Sequence, residues 1–169
     1  VIVNGTGSAG SSQFAMSKSD SWEGIKNGTL YLKGKAQVVG SKNQSTRYLG
    51  GLSGDAGTFL SGFNVKGTGS DTWIVGTANT NETFNGVIDD RAQNGAAGKT
   101  SIVKQGTGEW RLTGKNIYSG TTQVQGGKLI VNGQHTGTGA VTVAGNATLA
   151  GKGSLAAAVT VNGTLQVGD

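Results

Sequence analysis

The sequence has 169 residues, enough for one ordinary domain, and it contains neither proline nor cysteine. Its 32 glycines follow no glycine-x-y period, which excludes a collagen triple helix and assigns the glycines to turns. The chain has 34% hydrophobic residues, too few for a thick globular core, and 14% charged residues, too few for a disordered chain. We therefore expect a thin, elongated core with many turns.

The charges and the apolar runs exclude further classes of partner. The formal net charge of +5 comes from scattered lysines and arginines, with Lys33 and Lys35 as the closest pair, whereas phosphate binding needs a concentrated basic stripe. No apolar run approaches the ~20 residues of a membrane span. We expect neither a nucleic-acid partner nor membrane insertion of this segment. Without cysteine, the chain has no disulfide framework and no cysteine metal site.

The N-terminal residues predict a strand followed by a turn. Residues 1–5 read VIVNG, a pattern that returns at residues 129–133 and 159–163, and residues 27–30 match residues 162–165. Residues 5–10, GTGSAG, have the glycine spacing of the dinucleotide-binding fingerprint. However, no helical period follows them, and no acidic residue lies at the expected distance. We interpret these glycines as a repeat turn and expect no cofactor.

The middle of the chain holds the acidic residues that a catalytic site would need. Asp89 and Asp90 are the one adjacent acidic pair. Neighbouring strand residues point to opposite faces, and no second acidic cluster supplies a partner carboxylate, so we expect turn or strand-end roles for both. Residues 50–55, GGLSGD, are similar to a calcium-binding nonapeptide, but their spacing is off by one and no tandem copy follows. We expect no catalytic and no metal-binding residue.

Residues 101–133 are the most regular part of the chain, because glycines punctuate short alternating runs. Alternation places Trp110 and Leu112 on one face and Glu109 and Arg111 on the other, which favours the core for the first pair. The stretch resembles the autotransporter-associated β-strand repeat at Lys104, Gly106, Gly108, Trp110, Leu112, Thr113, Gly114, Asn116, Tyr118, Gly120, Thr122 and Val124. Together with segments between residues 48 and 90, the resemblance extends over roughly residues 22–169.

The resemblance implies a passenger-type segment of a bacterial autotransporter, secreted or held at the cell surface through regions outside this chain. The function it implies is structural and adhesin-like: a rod that projects a binding surface toward a glycan or protein of a host or cell surface. No catalytic residues transfer with the motif, so we expect no enzyme.

The final third of the chain has the clearest period. Val124, Val143 and Val161 each precede a glycine-containing turn and follow one another at nearly equal spacing. Such spacing without amphipathic helices predicts a right-handed parallel β-helix, a single elongated β-solenoid domain over residues 1–169, with an antiparallel sandwich as the alternative. At about 19 residues and ~4.8 Å per coil, the chain would make roughly eight or nine coils. Residues 93–100 are expected to form a loop between two repeat units.

Two alternative functions depend on where side chains point. A carbohydrate-binding module would expose the aromatic rings of Trp22, Trp73, Trp110, Tyr31, Tyr48 and Tyr118 in a row. A polysaccharide-active β-helix enzyme would bring Asp89 or Asp90 into a groove. His135 lies in a glycine-bounded stretch and is expected in an exposed loop, and Thr142 and Thr160 in an outward threonine ladder. The last coil reads as uncapped, which predicts that the chain continues and that the segment associates weakly end to end.

Overall fold

The structure, a computed structural model, describes residues 1–5, 13–16, 23–40, 46–62, 70–90 and 98–169. Nearly all of its elements are short strands. In chain order the elements are β1 (Ile2–Gly5), β2 (Gln13–Met16), α1 (Glu23–Lys26), β3 (Thr29–Gly34), β4 (Gln37–Gly40), β5 (Thr46–Leu49), β6 (Gly51–Gly54), β7 (Phe59–Ser61), β8 (Ser70–Val75), β9 (Glu82–Phe84), β10 (Val87–Asp89), β11 (Lys99–Lys104), β12 (Glu109–Leu112), β13 (Lys115–Asn116), β14 (Thr122–Val124), β15 (Gly127–Val131), β16 (Gln134–His135), β17 (Val141–Val143), β18 (Ala147–Gly151), β19 (Ser154–Leu155), β20 (Val159–Val161) and β21 (Thr164–Val167).

These strands form a parallel β-solenoid with three faces. Face 1 is an eight-stranded sheet in the order β1-β3-β6-β9-β12-β15-β18-β21, and face 3 is a six-stranded sheet in the order β20-β17-β14-β11-β8-β5. Face 2 consists of the four-stranded sheet β10-β7-β4-β2 and the three-stranded sheet β13-β16-β19, which meet where the Ile117 N–H donates to the Ile88 carbonyl at 2.9 Å. A coil visits faces 1, 2 and 3 in turn, as β12, β13 and β14 do.

The pairing of the strands decides between the two folds that the sequence allows. Every pair of named strands in the described part of the chain is parallel, and the one antiparallel contact there is an isolated bridge between Gly151 and Gly168. The parallel β-solenoid is therefore confirmed, and the antiparallel sandwich is wrong. In the described residues, face 1 has eight strands but face 2 has seven, because no strand follows β21; the chain makes seven coils and begins an eighth, slightly fewer than the predicted eight or nine.

The core is made of stacked columns of like side chains. On face 3, Val124, Val143 and Val161 are in register, and on face 1 Trp110 pairs with Leu129, which pairs with Leu149 and then Leu165. Each column places apolar side chains ~4.8 Å apart along the stack, so they bury one another without a second layer. The predicted valine period is thus the physical register of face 3.

The length of a coil is not constant, contrary to the uniform period predicted from the valines. Leu112 pairs with Val131, whereas Phe84 pairs with Leu112 and Gly54 pairs with Phe84, so the two earlier coils span distinctly more of the chain. Their extra residues lie in the connections, while the paired strands stay in register. The copies of the VIVNG pattern do not all occupy the same face. Residues 1–5 and 129–133 contribute β1 and β15 on face 1, whereas residues 159–161 form β20 on face 3.

A single helical turn replaces a strand near the N-terminus. Helix α1 follows β2 and packs against β5, the first strand of face 3, so it lies over that edge of the sheet. Its Ile25 is buried in the core, and the Ile25 carbonyl accepts the Gly50 N–H at 2.6 Å. Within the described residues, no helix is long and apolar enough to span a membrane.

Candidate functional site

Lys104 is the most deeply buried charged residue of the motif. It occupies the inward column of face 3 between Val75 and Val124, where the other coils place Leu or Val, and its exposure is 0%. Its Nζ donates to the carbonyls of Gln105 at 2.6 Å, Gly106 at 3.2 Å and Gly126 at 3.2 Å. Burial lowers the pKa of Lys104 to about 8. The side chain therefore joins the turns of two successive coils.

The glycine that closely follows Lys104 is required by its surroundings. Gly106 has a φ of 70°, and a Cβ there would lie 2.0 Å from the Gly76 carbonyl oxygen of the preceding coil. A side chain at this position would push the two coils apart.

Trp110 and Leu112 are buried, as alternation predicted. Trp110 is 1% exposed, and its indole Nε1 donates to the Leu52 carbonyl at 2.9 Å. Trp73 is likewise fully buried on face 3, beneath the Arg47 guanidinium at 5.5 Å from its ring. Both rings fill the solenoid and are unavailable to a ligand. Trp22 lies outside the described residues.

The tyrosines are divided between core and surface. Tyr118 is buried, whereas Tyr31 is partly exposed and Tyr48 is exposed to 40%. The Tyr31 hydroxyl donates to Asp55 at 2.8 Å, and this bond raises the Tyr31 pKa. Lys26 lies over the Tyr48 ring at 5.4 Å. The described aromatic residues therefore do not form a row of exposed rings.

A buried polar cluster inside the motif extends from face 2 to the start of face 3. Asn116 Oδ1 accepts the Ile88 N–H at 3.0 Å, and the Tyr118 hydroxyl shares a hydrogen bond of 2.6 Å with Thr122. Burial raises the pKa of Tyr118 to about 12. These polar groups satisfy one another and the backbone, which is the condition for burying them.

The expectation of an exposed His135 is wrong. His135 is 3% exposed, and its ring stacks on that of Tyr118 at a centroid distance of 4.3 Å. Its strand, β16, pairs with β19, which sets His135 in register with Leu155. It therefore occupies an inward column position. Aligning the sequences of successive coils would have revealed the inward position, because it places His135 opposite Leu155.

The motif that holds these coils together also matches a family of known proteins. Residues 102–131 match the family model Passenger-associated-transport-repeat. The predicted resemblance is confirmed for this segment, which runs from β11 to β15 and contains Lys104, Trp110 and the Asn116–Tyr118 cluster. No curated protein and no solved structure matched the chain.

The matched residues are therefore similar to a repeat of autotransporter passengers, a class of secreted or surface-exposed proteins. Within this repeat, the motif residues are mainly those that hold one coil on the next. Lys104 and Gly106 fix the corner between faces 3 and 1, Trp110 fills face 1, and Asn116 joins face 2 to the coil before it.

Outside the Passenger-associated-transport-repeat, Asp89 and Asp90 have structural partners. Asp89, at the end of β10, is 4% exposed and accepts a hydrogen bond from the Ser61 hydroxyl. Asp90 accepts the Thr100 N–H at 2.7 Å and the Ser119 N–H at 2.8 Å, and so ties the start of β11 and the connection before β14 to its coil. Arg91 and the following residues to 97 lie outside the described part of the chain. Of the predicted loop over residues 93–100, Lys99 and Thr100 instead begin β11.

The two ligand-binding patterns considered from the sequence lie only partly within the described residues. Residues 51–54 of the calcium-like stretch form β6, and the described residues contain no group of three or more His, Cys, Asp or Glu side chains that could hold a metal ion. Of the dinucleotide-like glycines, Gly5 ends β1, and residues 6–10 lie outside the described part of the chain.

A buried ion pair was not anticipated from the sequence. Arg47 and Asp71, whose side chains are 3% and 2% exposed, approach to 2.9 Å at the corner between faces 2 and 3. Gly40 makes room for them, because a Cβ there would lie 2.5 Å from the Asp71 carboxylate. Charged residues rarely occupy core positions unless they are paired, so sequence alternation alone assigns them to the surface.

The outward side of face 3 carries polar residues in its later coils. Gln123, Thr142 and Thr160 are in register on β14, β17 and β20, and all three are exposed. The expected outward pairing of Thr142 with Thr160 is confirmed, although the ladder contains only these two threonines in register with a glutamine.

Proposed function

We propose that the segment is a non-enzymatic, adhesin-like part of an autotransporter passenger: a rod whose outward side chains contact a glycan or protein of a host or cell surface. The observation that carries this proposal is that the inward and outward side chains of each coil have different roles. Inward side chains such as Lys104 and Trp110 are used in stacking, while outward ones such as Gln123 and Thr142 are exposed and take no part in the core.

The enzymatic alternative receives little support from the acidic residues. Glycoside hydrolysis needs two carboxyl groups that flank one substrate bond. Asp89 is buried against Ser61, and both carboxylate oxygens of Asp90 accept backbone N–H groups. These contacts support a structural role for both residues. Loss of a polysaccharide-cleaving activity in a variant carrying Asp89→Asn and Asp90→Asn, with the fold intact, would argue for the enzyme instead.

The test of the adhesin-like role is binding of the purified segment to arrays of glycans and of extracellular proteins. We expect retention on at least one class, and we expect retention to fall when outward residues such as Thr142 are replaced while the circular dichroism spectrum stays unchanged. Retention on neither class would contradict a binding role and leave a purely structural rod.

Weak end-to-end association of the isolated segment is a further part of the proposal. Leu165 and Val167 on β21 are 60% and 93% exposed, and Ile2 on β1 is 62% exposed. β1 and β21 are the two edges of face 1 and offer unpaired backbone groups, which favour pairing with another chain. Sedimentation should show reversible association that Leu165→Lys weakens, and a strict monomer at high concentration would contradict it.

A further inference from the structure

A shallow groove lies at the corner where face 3 turns into face 1. Its lining comes from the turns of three successive coils: Gly106, Thr107, Gln125, Gly126, Gly127 and Asn146. Its volume is about 440 Å³, within the usual range of small-ligand sites. We call it the corner groove.

A second concavity of about 260 Å³ adjoins the corner groove. The two share Gln125, and the second is also lined by Gln123, Thr142 and Asn162 on the outward side of face 3. A ligand longer than the corner groove can therefore extend along the outward surface of the later coils.

The lining of both concavities is uncharged. It consists of amide and hydroxyl side chains with partly buried glycine backbone and some aliphatic groups. Lys104 lies behind the groove, but its three ammonium hydrogens match its three carbonyl acceptors, Gln105, Gly106 and Gly126. Glu109 and Lys128, which lie close by in sequence, pair with each other at 3.8 Å. The residues that line the groove therefore offer hydrogen bonds, and none of them is a cation that could bind an anionic ligand.

The polar groups of the groove are held in place before a ligand arrives. The Gln105 Nε2 donates to Gln125 Oε1 at 2.9 Å, and the Gln125 Nε2 donates to Gln123 Oε1 at 2.9 Å. These bonds use one N–H and one lone pair of the Gln125 amide, so one of each is left to face a ligand. A fixed donor and acceptor lower the entropy lost on binding.

We propose that the corner groove binds a neutral, hydroxyl-rich ligand, namely a short stretch of uncharged oligosaccharide, with the Gln125 amide as its central contact. A sugar hydroxyl both donates and accepts, which matches the free N–H and lone pair of that amide. The described aromatic rings do not line the groove, so the affinity is weak, in the millimolar range for one segment. The inference rests on the proposed binding role and adds the surface and the ligand class.

The test is a titration of the ¹⁵N-labelled segment with cellohexaose and mannohexaose, and with a heparin hexasaccharide as the anionic probe. We expect at least one neutral hexasaccharide to shift the backbone amide signals of Thr107 and residues 125–127. Gln125→Ala should weaken that binding about three- to tenfold, since it removes two hydrogen bonds. Thr83→Ala, an exposed change on β9 of face 1 and outside both concavities, is the matched control and should leave it unchanged.

Three results would overturn the inference: no shift with either neutral sugar, shifts confined to another face, or binding of heparin alone. These outcomes are distinguishable from failure of the proposed function. A segment that binds an array protein through another surface, with no response to the neutral hexasaccharides, retains its adhesin-like role and lacks the sugar site.

Discussion

At the scale of single residues, the inward columns explain which substitutions the solenoid tolerates. Trp110 fills face 1 and also donates to the Leu52 carbonyl, so Trp110→Ala should leave a cavity and an unpaired carbonyl. We expect a loss of about 3 to 5 kcal/mol in the free energy of unfolding, measured with denaturant. Thr160→Ala, at an exposed position, is the control and should change it by less than about 0.5 kcal/mol. Equal midpoints for the two variants would place the indole outside the core.

His135 should make the stability depend on pH in the acidic range. Burial is the main cause that lowers its pKa from 6.5, opposed by the bond to the Asn116 carbonyl and by the Asp90 carboxylate. The other titratable groups nearby are Tyr118, stacked on the ring, and Lys115, exposed on the adjacent strand β13. The unfolded chain therefore binds a proton that the folded one resists, so the contribution of His135 is full above about pH 6.5 and is lost as the pH falls.

The experiment compares unfolding of the native segment with that of His135→Leu at about pH 7.5 and about pH 5. Leucine is the residue that the next coil places in the same column, at Leu155. We expect the native segment to lose more stability on acidification than the variant does. Equal losses would show that His135 does not govern the acid response.

At the scale of the elements, burial of Lys104 makes the corner after β11 sensitive to pH. With its pKa lowered to about 8, folded Lys104 loses its proton before the unfolded lysine does, at about 10.5. Its contribution to stability therefore rises as the pH increases through this window. Lys104→Met should abolish the rise between about pH 8 and pH 9.5, below the range where Tyr118 titrates. Denaturant unfolding at both pH values measures the free energy of unfolding. If this free energy rises equally in the variant, another group causes the pH dependence.

The same variant tests whether Lys104 holds two turns together. Because Nζ contacts carbonyls of residues 105, 106 and 126, Lys104→Met should speed amide hydrogen exchange in the turns after β11 and β14. The turn after β17, which lies outside these contacts, serves as the internal reference. Uniform exchange across all three turns would contradict the linking role.

Sequence patterns predicted the elements best where successive coils have nearly equal length. Val124, Val143 and Val161 could be aligned from their even spacing alone, and they do stack in register. His135 was misplaced because its strand, β16, is too short to show alternation. Arg47 was missed for a different reason: nothing in the sequence indicates that Asp71, from the next coil, will pair with it inside the core.

At the scale of the whole molecule, the stack accounts for a stable fold without disulfides. Each coil contacts its neighbours along the axis, so the core grows by addition of similar rungs. The longer coils before β12 join the same columns as the shorter ones after it, because their additional residues lie between strands and leave the paired positions unchanged. The sequence overestimated the number of coils slightly, because the even spacing after Ser101 does not reveal the longer coils before it.

Disulfide trapping tests parallel, in-register stacking most directly, because the native chain has no cysteine. Parallel neighbours on one sheet have Cα atoms ~4.8 Å apart, within the range that a disulfide spans. Two outward pairs are suitable: Thr83→Cys with Arg111→Cys on face 1, and Thr142→Cys with Thr160→Cys on face 3. Thr142→Cys with Val161→Cys, offset by one residue and pointing to opposite faces, is the control. We predict rapid intramolecular disulfides in both in-register pairs and none in the control; disulfides in the control, with the in-register pairs remaining reduced, would contradict the parallel solenoid.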